Sequence, residues 1–128
     1  MSTEIEIELK VLEQVKNGKP GEEVGISKRV KFTKNEVQKD DKPSFSIGSQ
    51  SIREVEQVKN RLKGKTTVVV EDPDTQKRTE YEMSVEIILD YESEPPIIMT
   101  MFRYWGERFR EVNEVSREDF DKLIEWIQ

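Results

Sequence analysis

Apolar residues recur at every second position over much of this chain. The first segment shows the pattern best, because charged residues separate Ile5, Ile7, Leu9 and Val11. The same period of two continues through residues 24–32, 45–47 and 79–92, and further strands are predicted at residues 66–71 and in the aromatic stretch at residues 97–112. Such alternation is typical of half-buried strands. The pattern therefore predicts a mostly antiparallel sheet of about six to seven strands.

The spacing changes to a helical period in two places. Ser51 and Glu54 have the spacing of a capping box. The apolar residues that follow at helical spacing are Ile52, Val55, Val58 and Leu62, and Gly64 is placed to end a helix. Near the C-terminus, Ser116 precedes an apolar stripe made of Phe120, Leu123, Ile124 and Ile127. These patterns predict an α+β fold with one helix after the third strand and one at the C-terminus.

The predicted elements fit a single domain over residues 1–128. Aligning Ser51 with Ser116 superposes the two apolar stripes, so the chain also divides into two sheet-then-helix units, residues 1–64 and 65–128. This order of elements resembles that of the Whirly single-stranded DNA-binding proteins. The resemblance concerns element order alone, and it implies binding of single-stranded nucleic acid.

The composition excludes several kinds of catalysis. The chain has 128 residues and contains neither His nor Cys, so it lacks the commonest general base, a thiol nucleophile and the usual zinc ligands. Asp72 and Asp74 offer oxygen ligands for a cation, but Asp-Pro-Asp-Thr is better explained as a turn between strands. The sequence has no Gly-rich phosphate loop and no nucleophile elbow. We expect a protein that is not an enzyme and has no cofactor or metal ion.

The sequence also gives an expectation about location and origin. The N-terminal residues alternate Glu with Ile and lack the basic and apolar regions of a signal peptide. No apolar run approaches the roughly 18 residues that a membrane span needs. We therefore predict a cytoplasmic protein. The chain has no Ala, which is normally a common residue, and this suggests the AT-rich gene of a phage or another mobile element.

Aromatic and Arg residues are concentrated in residues 97–110. A two-residue hairpin loop at Gly106 and Glu107 suits Gly in its first position, and it would place Trp105 opposite Arg108. Cross-strand partners share a face of the sheet. One face of this hairpin then contains Phe102, Tyr104 and Phe109, which is typical of a core. The other face contains Trp105, Arg103, Arg108 and Arg110.

The preceding strand, residues 79–92, determines what that second face contacts. All of its apolar residues except Ile88 share one face, and Glu80, Glu82 and Glu86 lie on the other. The register across Pro95 and Pro96 is open, but the register that buries Arg103 is disfavoured because an unpaired buried charge is costly. The favoured register merges the apolar faces and predicts that Arg103 and Arg110 lie opposite Glu86 and Glu82. Trp105 and Arg108 then remain at the hairpin tip as contact residues.

We expect a non-catalytic binding protein, an acidic inhibitor, adaptor or assembly factor that acts through protein–protein contacts. Charged residues make up 38% of the chain and the net charge is −6, which suits a basic partner such as a nucleic-acid-binding protein. The expected contact residues are Trp105, Arg108, Arg103 and Arg110, with Glu80, Glu82 and Glu86 as a second surface.

The alternative is a single-stranded nucleic-acid-binding protein. Such binding needs aromatic side chains along a basic groove. The candidate residues are Arg29, Lys31, Phe32, Trp105 and Arg108, together with Arg103 and Arg110. The net negative charge disfavours this function. A homodimer through an uncovered edge strand at residues 4–12 is compatible with both functions.

Overall fold

Strands dominate the structure, a computed structural model that describes residues 4–34, 45–48, 50–104 and 106–127. Within these ranges the chain forms nine strands and one helix. The strands are β1 (Glu4–Lys16), β2 (Lys19–Pro20), β3 (Ser27–Lys34), β4 (Phe45–Ile47), β5 (Gln50–Val58), β6 (Arg61–Glu71), β7 (Arg78–Asp90), β8 (Ile97–Tyr104) and β9 (Glu107–Val115). The helix is α1 (Arg117–Ile127).

The sheet is antiparallel and closes on itself. From β3 to β9 each strand pairs with the next one along the chain, and β1 pairs with both β3 and β9. Leaving out the short β2, eight strands therefore form a ring. The predicted free edge at residues 4–12 is wrong from Leu9 onward, because Leu9 pairs with Val115 and the pairing continues to Lys16 opposite Phe109.

The predicted C-terminal helix is confirmed, and its apolar side chains complete the core. Ser116 caps α1, because its Oγ accepts a hydrogen bond from the backbone N–H of Asp119 at 3.2 Å. Phe120, Leu123 and Trp126 are buried in one cluster with inward side chains of the sheet. The helix therefore covers one end of the ring, which we call the helix end. The opposite end, where the β8–β9 turn lies, is called the open end.

The predicted helix after Ser51 is wrong, and so is the α+β fold with two helices. Residues 50–71 form the β5–β6 hairpin, which turns at Lys59 and Asn60. Glu54, the predicted capping residue, has a positive φ of 53° at a bulge between the paired residues Arg53 and Glu56. Val58 is 49% exposed, so the residues with helical spacing do not form one buried stripe. Pairing with β4 and β6 has overridden local helix propensity here.

Gly64 does not end a helix but lies inside β6, where the chain passes close to β5. A Cβ built on Gly64 would lie 2.5 Å from Cγ2 of the buried Ile52 and 3.0 Å from the carbonyl oxygen of Arg53. The close packing of the two strands therefore requires a residue without a side chain at this position.

The single domain over residues 1–128 stays a prediction. The division into residues 1–64 and 65–128 loses the first of its two helices, and β6 crosses that boundary.

The β8–β9 hairpin forms one step away from the predicted loop. Phe102 pairs with Phe109, Arg103 with Arg108 and Tyr104 with Glu107, so Glu107 belongs to β9 and the predicted loop at Gly106 and Glu107 is wrong. Gly106, just before β9, has a φ of 85°. The shift places the two Phe rings 5.9 Å apart between centroids. Because the partner of each residue moves by two positions, the predicted division between an apolar and an Arg face survives.

Candidate binding surfaces

The outer face of β8 and β9 carries three arginine side chains. Arg103 and Arg108 lie directly opposite each other, and both are exposed. Neither guanidinium forms an ion pair with a residue in the described ranges. Like charges in directly opposed positions repel each other. Arg110, one step further along β9, differs because its Nη2 pairs with Oε1 of Glu13 on β1.

The Glu side chains of β7 are paired with a different strand from the one predicted. Arg103 faces Ser84, and Glu86 faces Met101. Glu86 accepts a hydrogen bond from Nη1 of Arg61 on β6 at 2.8 Å. The predicted pairs of Arg103 with Glu86 and of Arg110 with Glu82 are therefore wrong, although the favoured merging of the apolar faces is confirmed.

Glu82 contacts Lys65 on β6, with 3.5 Å between Oε1 and Nζ. Glu80 lies beyond the last β7–β8 pair and faces Val69. The acidic stripe on β7 is therefore largely neutralised by β6, and it is a poor surface for a basic partner. A shallow depression of about 390 Å³ lies on this outer face between β5 and β8. Its lining includes Glu56, Lys63, Lys65, Glu86, Met101 and Arg103.

Part of the predicted hairpin-tip site lies outside the described residues. This is true of Trp105 and of the side chain of Tyr104. Of the predicted tip pair, the structure therefore describes Arg108 alone. Its backbone N–H donates to Oδ1 of Asn17 at 2.8 Å, which ties the start of β9 to the turn after β1.

The three residues of β3 proposed to bind nucleic acid do not share one face of the sheet. Phe32 is 4% exposed and its ring packs against that of Trp126 at 5.9 Å. Arg29 and Lys31 lie on the outer side and form ion pairs with Glu6 and Glu4, at 3.5 and 3.4 Å. Because the ring of Phe32 is in the core, it cannot stack on a base.

The open end of the ring contains a cavity of about 370 Å³. Three apolar side chains, Met83, Phe102 and Phe109, line it together with Lys16, Gln50, Glu107 and Arg108. Lys16 lies opposite Phe109 across the β1–β9 pair, and Phe109 lies opposite Phe102. The cavity wall is therefore built by strands on both sides of the closure between β1 and β9.

A buried polar cluster lies on the inside of the ring, one row of the sheet closer to the helix end. Glu111 is 7% exposed. Its carboxylate accepts hydrogen bonds from Nζ of Lys28 at 2.7 Å and from Nε2 of Gln14 at 2.9 Å. Burial by itself would raise the pKa of Glu111, but the bonds from Lys28, Gln14 and Asn113 and the charge of Lys28 outweigh it and lower the pKa. Glu111 is therefore ionised and neutralised by Lys28.

The cavity and the polar cluster include residues that the sequence reasoning missed. Lys28 has the same strand parity as Val30 and Phe32, and Glu111 has the same parity as Phe109. A charged residue at a strand position that otherwise carries apolar residues was the available signal, and period-two patterning alone does not identify its partner.

The turn predicted at Asp72 is confirmed, because its Oδ1 accepts a hydrogen bond from the backbone N–H of Asp74 at 2.8 Å.

Among the residues that the structure describes, no helix has both the length and the apolar character needed to cross a membrane. No protein-family model, curated protein or solved structure matches the chain.

Proposed function

We propose that this chain is a non-catalytic binding protein that recognises an acidic segment of a partner protein. The contact surface is the outer face of β8 and β9 near the open end. The observation that carries this proposal is the direct opposition of Arg103 and Arg108, two exposed guanidinium groups without an acidic partner in the described part of the chain.

The chemistry of the surface supports an acidic partner and not the basic one expected from net charge. Arg61 and Lys65 already pair with Glu86 and Glu82, so the acids of β7 have little free charge to offer. A carboxylate placed between Arg103 and Arg108 would instead relieve their repulsion and could accept bidentate hydrogen bonds from either guanidinium. The net negative charge of the molecule disfavours non-specific binding of an acidic partner, so the paired guanidinium groups of Arg103 and Arg108 should provide the main attraction.

The depression beside Arg103 adds an apolar contact. Met101 lines it and is half-buried. Met side chains adapt to irregular partner surfaces, and Arg is enriched at interface contacts that contribute much of the binding free energy. An acidic segment with an apolar residue next to its carboxylates would fit Arg103 and Met101 together. The absence of His and Cys from the sequence supports a role without catalysis.

The test uses a short fluorescein-labelled poly-Glu peptide with one Leu, measured by fluorescence polarisation. We expect salt-sensitive binding that weakens by about fivefold or more in Arg103→Glu. The matched control is Arg78→Glu, which makes the same charge change at an exposed residue on the β6–β7 hairpin. Equal weakening by both substitutions would mean that only net charge matters, and it would overturn the proposal.

A single-stranded oligonucleotide of the same charge provides the second arm. Because the Arg surface lacks an ordered row of stacking aromatics in the described ranges, the peptide should bind at least as tightly as the oligonucleotide. Clearly tighter binding of the oligonucleotide, with the same dependence on Arg103, would favour the nucleic-acid function and contradict the protein-partner proposal.

A further inference from the structure

The two ends of the ring are filled in different ways. At the helix end, Phe120, Leu123 and Trp126 occupy the interior. At the open end, the last apolar side chains among the described residues are Phe102 and Phe109, which are half-buried, and Met83. A closed sheet of about eight strands has an interior just wide enough to be filled by side chains or to hold one small ligand. The helix end is filled by side chains, whereas the open end leaves room for one small ligand.

The size of the cavity sets the size of an occupant. Its volume of about 370 Å³ lies near the lower limit of pockets that hold small molecules, roughly 300 to 1,000 Å³. Because most of such a pocket is normally apolar with a few polar groups that orient the ligand, the combination of Met83, Phe102 and Phe109 with charged rim residues fits a small amphipathic molecule better than a sugar or an inorganic ion.

The charges around the cavity set the sign of an occupant's polar group. Lys16 and Arg108 contribute two positive charges and Glu107 one negative charge. Below them Glu111 is neutralised by Lys28, so the interior adds no net charge. Among the described lining residues, one positive charge therefore remains at the rim. It is matched by a single anionic group placed where the cavity meets solvent.

We propose that the open end of the ring binds a small amphipathic monoanion, namely a medium-chain or aromatic carboxylate. Its apolar part packs against Phe102, Phe109 and Met83. Its carboxylate lies at the rim, where Lys16 and Arg108 neutralise it. The two proposed sites share Arg108 at the rim, but the cavity faces the inside of the ring, whereas Arg103 and Met101 face the outside.

The positions of the methionines give a direct way to test this separation. Met83 lines the interior cavity, whereas Met99 and Met101 lie on the outer face of β8. In a protein labelled at the methionine methyl groups, decanoate should shift the NMR signal of Met83 and leave those of Met99 and Met101 nearly unchanged. The poly-Glu peptide should shift Met101 and leave Met83. Each proposal can thus fail without the other.

Three probes with the same chain length test the chemistry of the site: decanoate, decanol and decyltrimethylammonium. We expect decanoate to bind most tightly. Lys16→Glu should weaken decanoate about fivefold to tenfold, because it replaces a cation at the rim by an anion, and should leave decanol unchanged. Lys10→Glu is the matched control, because Lys10 is exposed on the outer side of the same strand. Because Lys10 and Lys16 are both exposed, neither substitution should prevent folding, and thermal unfolding of both variants checks this.

Three results would overturn the proposal. One is a Met83 signal that does not move at near-saturating decanoate. Another is equal shifts at Met83, Met99 and Met101, which would indicate non-specific detergent-like binding. The third is equal affinity for decanoate, decanol and decyltrimethylammonium, which would show that Lys16 and Arg108 do not select an anion.

Discussion

The two ends of the closed sheet are built from the same kind of strand, yet one is sealed and the other open. The helix end is closed by α1, whose Phe120 and Leu123 are 0% and 1% exposed. The open end has no such cover in the described ranges, and its apolar pair Phe102 and Phe109 remains half-buried. Between them lies the ionised cluster around Glu111. The contrast indicates that the buried core is concentrated at the helix end, and both proposed binding sites lie at or near the open end.

We expect the largest loss of stability from a substitution in the core of the helix end. Phe120→Ala should lower the free energy of unfolding by about 3–5 kcal/mol, because it leaves a cavity among fully buried side chains. Phe109→Ala makes the same chemical change at the open end and should cost only about 1–2 kcal/mol, because the ring is already half-exposed. Chemical denaturation of both variants measures the difference. Equal losses would show that the two ends do not differ in this way.

The next largest effect on the free energy of unfolding is expected where β5 and β6 pack closely at Gly64. Gly64→Ala should destabilise the protein by about 1–3 kcal/mol, because the new Cβ would contact Ile52 in a filled core. Ser84→Ala, at an exposed position on the neighbouring β7, should change stability by less than about 0.5 kcal/mol. The same denaturation experiment tests the pair. A neutral Gly64→Ala would mean that β5 can move away from β6 without cost.

Because of the ionised cluster around Glu111, we expect the free energy of unfolding to depend on pH. The pKa of Glu111 is lower in the folded state than its ordinary value, so the unfolded chain binds more protons between the two values and the stability due to Glu111 is lost as pH falls through the folded pKa. At neutral pH, Glu111→Gln should cost about 1–3 kcal/mol, since it breaks the pair while Lys28 can still reach solvent. Urea unfolding at neutral and acidic pH should show that this difference narrows in acid. A difference that widens in acid would contradict the assignment.

The smallest effect concerns the outer face near the open end. Arg108→Glu should raise stability by about 0.2–1 kcal/mol, because it replaces a like-charged pair with Arg103 by an opposite pair. Arg110→Glu is the contrast, since it places an acid beside Glu13 and should lower stability by a similar amount. Thermal unfolding at low salt resolves the two signs. If Arg108→Glu destabilised the protein, Arg103 and Arg108 would not be under repulsion.

Period-two patterning predicted most of the sheet but not the β5–β6 hairpin. In β7 the alternation was uninterrupted, and Val85, Ile87 and Leu89 are buried as predicted. In β5 the bulge near Glu54 breaks the alternation, so Ile52 and Val55, which both contact the core, are three residues apart, as they would be on one face of a helix. A bulge adds a residue without changing composition. Only the pairing with neighbouring strands, which is not local in sequence, can reveal it.

The candidate surfaces were predictable only in part, for a related reason. The division of residues 102–110 into an apolar and an Arg face depends on parity alone, and it was correct for Phe102, Phe109 and the three arginines. The partners of each charge depend on register and on which strand lies alongside, and these were wrong for Glu86 and Glu82. The cavity could not be predicted, because Lys16 and Phe109 are brought together by the closure of β1 on β9, which the sequence does not signal.

The pairing of β1 with β9 also has a kinetic consequence. Every other strand of the ring meets a partner through a local connection along the chain, whereas this pair joins residues such as Gln14 and Glu111 across nearly the whole chain. Bringing the ends of so long a loop together costs conformational entropy, and this cost makes the step slow. Closure of the ring should therefore limit the rate of folding. Until it occurs, β1 and β9 are two unpaired edges that can join another copy instead. Refolding should therefore lose yield as protein concentration rises, and variants that weaken this one seam should show the loss first.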